Sequence, residues 1–185
     1  MHFPGKFGKG FEKPVRGGKD TMKALVTYYS QTGNTEKLAR AIYEAIHVEK
    51  ELLPVQDVKN TQGYDIIFVG FPVHAHSVPA KLLPFFQGLS DGQNIALFCT
   101  HGSLRGGHLP KQALEHAIGL ATRAKILGTF GVRGMVDAKI IEALIKQAEH
   151  RAWAEEAQGA SNHPDDDDLA DGKEFARSVL AKIGR

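Results

Sequence analysis

Ala24-Leu25-Val26-Thr27-Tyr28-Tyr29-Ser30-Gln31-Thr32-Gly33-Asn34-Thr35 is the stretch in which the chain declares its architecture. Its first six residues are a short apolar and aromatic run of the kind that forms a buried strand. Thr35 to Ile46 follows with helical patterning, and the residues between form a strand-to-helix turn. A helix beginning there presents unpaired N–H groups and the positive end of its dipole, which together favour an anion. The hydroxyls of Ser30, Thr32 and Thr35 and the amide of Asn34 add hydrogen-bonding groups, with Gln31 beside them. Gly33 permits positive φ and a close backbone approach. The same residue types also serve as ordinary helix caps, so the local chemistry alone leaves both readings open.

Two other phosphate loops are excluded. The sequence has no Gly-x-x-x-x-Gly-Lys-Ser/Thr, hence no lysine placed for a β- or γ-phosphate, and no Gly-x-Gly-x-x-Gly after the first strand. A hydroxyl-rich loop without lysine suits a single terminal phosphate surrounded by neutral donors.

Ser-x-Thr-Gly-Asn-Thr after an N-terminal strand resembles the phosphate loop of flavodoxins, and the resemblance continues along the chain. Tyr64 to Val73 resembles the family's third strand and first flavin loop, and Ile95 to Gly102 its fourth strand and second flavin loop. Gly159 to Ile183, with His163-Pro164-Asp165, resembles the last helix of some flavodoxin-like chains; the match spans roughly Met22 to Ile183. The resemblance implies FMN as cofactor. It places the phosphate on Ser30, Gln31, Thr32, Gly33, Asn34 and Thr35, and the flavin ring near Pro72, Val73, His74, Ala75, Thr100, His101, Gly102, Gly106 and Gly107.

The remaining pattern alternates strand and helix. Strands are expected at about Lys50–Val55, Ile66–Phe71, Asn94–Thr100 and Lys125–Val132. Helices are expected at about Pro79–Gln87, Leu109–Leu120, Asp137–Gln158 and Asp166–Ile183. Five strands separated by helices imply an α/β three-layer sandwich around a parallel sheet. The flavodoxin-like order 2-1-3-4-5 places a ligand beyond the carboxyl ends of strands one, three and four. The helix at Asp137–Gln158 is extra to the minimal pattern and reads as an insertion.

The two flavin loops depart from many electron-carrying flavodoxins. They contain neither Trp nor Tyr to stack on the ring, and no carboxylate; instead they carry His74, His76, His101 and Arg105. The histidines, or Val73, are the candidates to flank the ring, and the only tryptophan, Trp153, lies in the late inserted helix. Surroundings without carboxylates imply a less negative potential for the second electron. The first flavin loop also lacks glycine, so the peptide flip that the family uses to stabilise the one-electron-reduced flavin is expected to be costly. His is suited to proton donation near neutral pH, although contact or packing is the plainer role. With no acidic or thiol partner nearby in sequence, the three histidines are not read as a metal site. Cys99 reads as a buried structural thiol, and Asp165 to Asp168 as the cap of the last helix.

At 185 residues, with a single cysteine and no apolar run long enough for a membrane span, the chain suits one domain without a disulfide framework. Its first residues do not resemble a signal peptide, and a cytoplasmic location is the default expectation. The net charge of +2 is unevenly spread: residues 1–21 carry a balance of +3, and the remainder −1. That glycine- and proline-rich leader, with Phe3, Phe7 and Phe11, is expected to be a flexible extension ahead of a domain covering 22–185. Neither a membrane nor nucleic acid is an expected partner. The leading expectation is an FMN-binding redox protein exchanging electrons with a partner protein. An oxidoreductase acting directly on a small molecule such as a quinone or tetrapyrrole is the alternative, and a flavin-free interaction module is the third.

Overall fold

The computed structural model describes residues 22–183; the expected flexible leader at 1–21 lies outside them. Five strands, β1 (Lys23–Tyr28), β2 (Glu49–Pro54), β3 (Ile66–Pro72), β4 (Asn94–His101) and β5 (Lys125–Arg133), form one sheet. All neighbouring pairs are parallel and the order is β2-β1-β3-β4-β5. The three central strands are buried along nearly their whole length, as continuous apolar runs require when helices cover both faces.

Alternation along the strands divides the core. Val26, Phe68 and Phe98 face helices α1 (Asn34–Ala45) and α6 (Asp166–Ile183), packing with Leu38, Ile42 and Val179. Leu25, Ile67, Val69 and Leu97 face the other layer, α2 (Leu83–Gln87) and α3 (His108–Leu120), and meet Leu82, Phe86, Ala113 and Ala117. Gly70 marks a close approach: a Cβ there would lie 2.2 Å from the Phe98 ring.

Two expected helices take a different form. Over 79–87 the chain makes a 3-10 turn at Ala80–Leu82 before the five-residue α2, because Pro84 at its start lacks the N–H that a continuous helix would use. Over 137–158 there are two helices, α4 (Ala138–Leu144) and α5 (Arg151–Gln158), separated by turns. Asp137 caps α4, its Oδ1 accepting a hydrogen bond from the Lys139 N–H at 2.8 Å. The last helix follows its expectation. Asp165 and Asp168 exchange hydrogen bonds between side chain and backbone, a reciprocal cap at its N-terminus. The Asp168 N–H donated to Asp165 holds that carboxyl below its usual pKa. His163 Nδ1 lies 2.5 Å from Asp168 Oδ2 and ties the preceding loop to the cap.

Candidate functional site

Parallel strands bring the carboxyl ends of β1, β3 and β4 to one edge of the sheet, and the loops that leave them share a cavity of about 830 Å³. Gln31, Thr32 and Asn34 line it from the first loop, Pro72, Val73, His74, Ala75 and His76 from the second, and Thr100, His101, Gly102 and Ser103 from the third.

The first loop is built as a cradle. Gly33 stands immediately before α1 with φ +88°, a left-handed conformation that glycine adopts without steric cost, and no side chain caps the helix. The Gly33 N–H donates to Ser30 Oγ at 3.1 Å, which shapes the loop. Thr35 is buried, and its hydroxyl pairs with that of Thr100 at 2.8 Å, joining the first loop to the end of β4. Ser30, Gly33 and Thr35 therefore support the loop rather than line the cavity. Asn34 Nδ2 donates to Thr32 Oγ1 at 3.1 Å and to the Met135 carbonyl at 2.8 Å, binding this loop to the segment that follows β5.

The second loop is a tight hairpin. His74 and Ser77 exchange both backbone hydrogen bonds, at 3.0 and 2.8 Å, around Ala75 and His76, whose φ values are +43° and +62°. Positive φ at both central residues is the signature of a primed turn, which usually contains Asn or Gly. The left-handed backbone that glycine was expected to be needed for is thus already present without it. Ser77 Oγ lies 2.6 Å from His116 Nδ1, which fixes the hairpin to α3. Tyr29 meets the edge of the His74 ring at 6.5 Å between centroids.

In the third loop His101 is buried, and its Nδ1 lies 3.0 Å from the Ser103 carbonyl. Since a carbonyl only accepts, Nδ1 carries the proton and Nε2 is bare. Burial lowers its pKa to about 4, so this imidazole is neutral at physiological pH and is not the proton donor that a sequence reading allowed for. Arg105 does not line the cavity; its guanidinium lies 2.5 Å from Asp171 on α6 and 5.7 Å from the centre of the Phe130 ring. Gly106 and Gly107 also stand back from the cavity. Gly106, at φ +77°, and the Gly107 N–H, which donates to the Leu104 carbonyl at 3.0 Å, form the turn that starts α3. Cys99 is fully buried and burial pushes its thiol pKa up to about 12, which makes it a packing residue.

The inserted helices complete the site, and here the sequence reading missed functional candidates. Met135, Val136, Ile140, Leu144 and Trp153 also line the cavity, as do Asp137, Glu149 and His150. Trp153, placed by the sequence in the inserted helix and given no role there, stands at the cavity wall: its Nε1–H donates to Ser103 Oγ at 3.1 Å, and its ring would lie 3.1 Å from a Cβ at Gly102. Arg133 locks the same junction, donating to the carbonyls of Gly102, Glu156 and Gly159 at 3.3, 2.7 and 3.1 Å. The Leu104 N–H donates to Glu156 Oε1 at 2.5 Å. Asp137 and Glu149 are the acidic residues along the cavity, whereas the flavin loops contain none. Its sequence signals were the chain's single tryptophan and the apolar spacing of Ile140 and Leu144.

The arrangement fits a phosphorylated flavin on two counts. An uncapped helix start behind a left-handed glycine suits a phosphate, and a broad cavity with apolar and aromatic walls suits a ring. Comparison with known proteins points the same way. The family model described as Flavodoxin domain matches residues 25–177. The Flavodoxin-like domain-containing protein BilS of Clostridioides difficile (strain CD3) is 28% identical over 174 residues, covering 87% of this chain and 98% of that protein. A flavodoxin from the domain Archaea has a similar structure, with a TM-score of 0.59 at 18% identity over 89% of this chain and 100% of that one. Oxidised Flavodoxin 2 from Bacillus cereus does so too, with a TM-score of 0.59 at 16% identity over 86% of this chain and 99% of that one.

Proposed function

The chain belongs to the flavodoxin domain family, and we propose that it binds FMN and passes electrons between that flavin and an acceptor. The observation that carries this reading is the convergence of three strand-end loops on one cavity, with the uncapped start of α1 at its edge. The backbone N–H groups of the first turn of α1, with Thr32 and the loop around Gly33, hold the phosphate. Val73, His74, Gly102 and Trp153 line the cavity and would border the ring. FMN supplies one- and two-electron redox chemistry when bound. The neutral His101 offers no charge to the reduced flavin, and the His74–Ser77 hairpin brings backbone groups to the same cavity.

Two acceptors are open to such a protein: a partner protein, which would make it an electron carrier, or a small molecule reduced directly. The carrier role is supported by the absence of a recognisable nicotinamide-binding motif in the sequence. The direct role is supported by the wall that α4 and α5 add to the cavity. Titration of the full chain with FMN, followed by absorbance and by release of the flavin on denaturation, tests the shared premise. Stoichiometric binding is expected; a colourless protein that does not take up FMN would overturn it.

A further inference from the structure

We infer that α4 and α5 build a second binding site, contiguous with the flavin site, for an apolar, planar small molecule. The inference rests on the FMN reading for its neighbour. Helix α4 carries Ile140, Ile141 and Leu144, yet none of its residues is buried. Among the described residues four large apolar side chains stand out as exposed, and two of them, Met135 at 49% and Ile140 at 50%, line this cavity. Apolar surface gathered in one concave place marks a binding site more often than an accident of packing.

This wall is held in place. Asn34 bonds the Met135 carbonyl, Trp153 bonds Ser103, and Glu156 and Arg133 tie α5 to the loop after β4. These bonds hold the Met135 backbone and α5 to the loops, and α4 packs against α5. The cavity, at about 830 Å³, lies toward the upper end of the roughly 300–1,000 Å³ typical of small-molecule sites. Within it, Met135, Ile140 and Leu144 lie outside the three loops assigned to FMN. The Trp153 indole suits a flat π-system, and Glu149 and His150 at the rim suit a polar substituent on it.

The test uses the full chain loaded with FMN and titrated with 2-methyl-1,4-naphthoquinone as the probe, by calorimetry and by fluorescence of the single tryptophan, Trp153. Saturable one-to-one binding that alters Trp153 emission without releasing FMN is expected. Ile140→Glu places a charge on the apolar wall and should weaken probe binding at least about tenfold, by more than it weakens FMN binding. Met135→Gln, at an equally exposed position, should weaken the probe in the same direction and serves if the first variant misfolds. The inference is overturned if FMN binds but the probe does not saturate. It is equally overturned if the probe displaces FMN, or if correctly folded Ile140→Glu binds it as tightly as the parent. Failure to take up FMN would instead remove the flavin reading itself.

Discussion

Replacing His101 by Gln should remove a specific part of the protein's acid sensitivity. Burial lowers the imidazole pKa from 6.5 to about 4 in the fold, only partly opposed by the hydrogen bond to the Ser103 carbonyl. The unfolded chain therefore binds a proton in a pH range where the folded chain does not. Stability from this source is complete above pH 6.5 and is lost as the pH falls toward 4. A difference of that size is worth about 3 kcal/mol between the two limits, and about 2 kcal/mol at pH 5. Gln fills a similar volume and does not titrate, so the variant loses packing and the Nδ1 bond at every pH but loses nothing further here on acidification. Urea unfolding of both proteins at pH 8 and pH 5 measures the effect, since the other titrating groups are common to both. The stability gap between parent and variant should narrow by about 2 kcal/mol at pH 5. An unchanged gap, or a His101 resonance titrating near 6.5, would refute the burial argument.

Other perturbations address separate links. Gly70→Ala forces a Cβ into the Phe98 ring, 2.2 Å away, and should cost about 1–3 kcal/mol by denaturant unfolding; an unchanged midpoint would mean that the ring moves freely. Thr35→Val leaves the buried Thr100 hydroxyl without its partner and should cost about 1–2 kcal/mol, with Thr35→Ser recovering most of the loss. Ala75→Gly relieves a left-handed backbone at φ +43° and should raise the thermal midpoint, by up to about 1 kcal/mol of stability; a lower midpoint would argue against strain in the hairpin.

The strand-to-helix unit around Gly33 was legible because its signals are local: an apolar run, a glycine and a helix start lie within a dozen residues. The parallel sheet followed from alternation and the last helix from the acidic cap at Asp165, again short-range patterns, whereas the strand order came only with the resemblance to flavodoxins. What was not legible depended on tertiary placement. Trp153 is about fifty residues from Gly102 in sequence, and only the folding of α5 against the loop after β4 brings them together. Arg105 was counted among the surroundings of the flavin because its loop carries it, but its guanidinium pairs with Asp171 on a helix sixty-six residues later. Gly106 and Gly107 were assigned to close approach to the ring, and the structure uses them to turn the chain into α3. The histidines were visible, but the neutrality of His101 was not, because it follows from burial rather than from residue type.

The most direct test of the central claim compares FMN with riboflavin in equilibrium titrations of the full chain. The two differ only in the phosphate, so their difference isolates the loop between Ser30 and Thr35. FMN should bind at least about tenfold more tightly, as expected for an anion held at a helix N-terminus with additional hydrogen bonds. Equal affinity for the two would contradict the phosphate loop, and binding of neither would contradict the flavin site altogether.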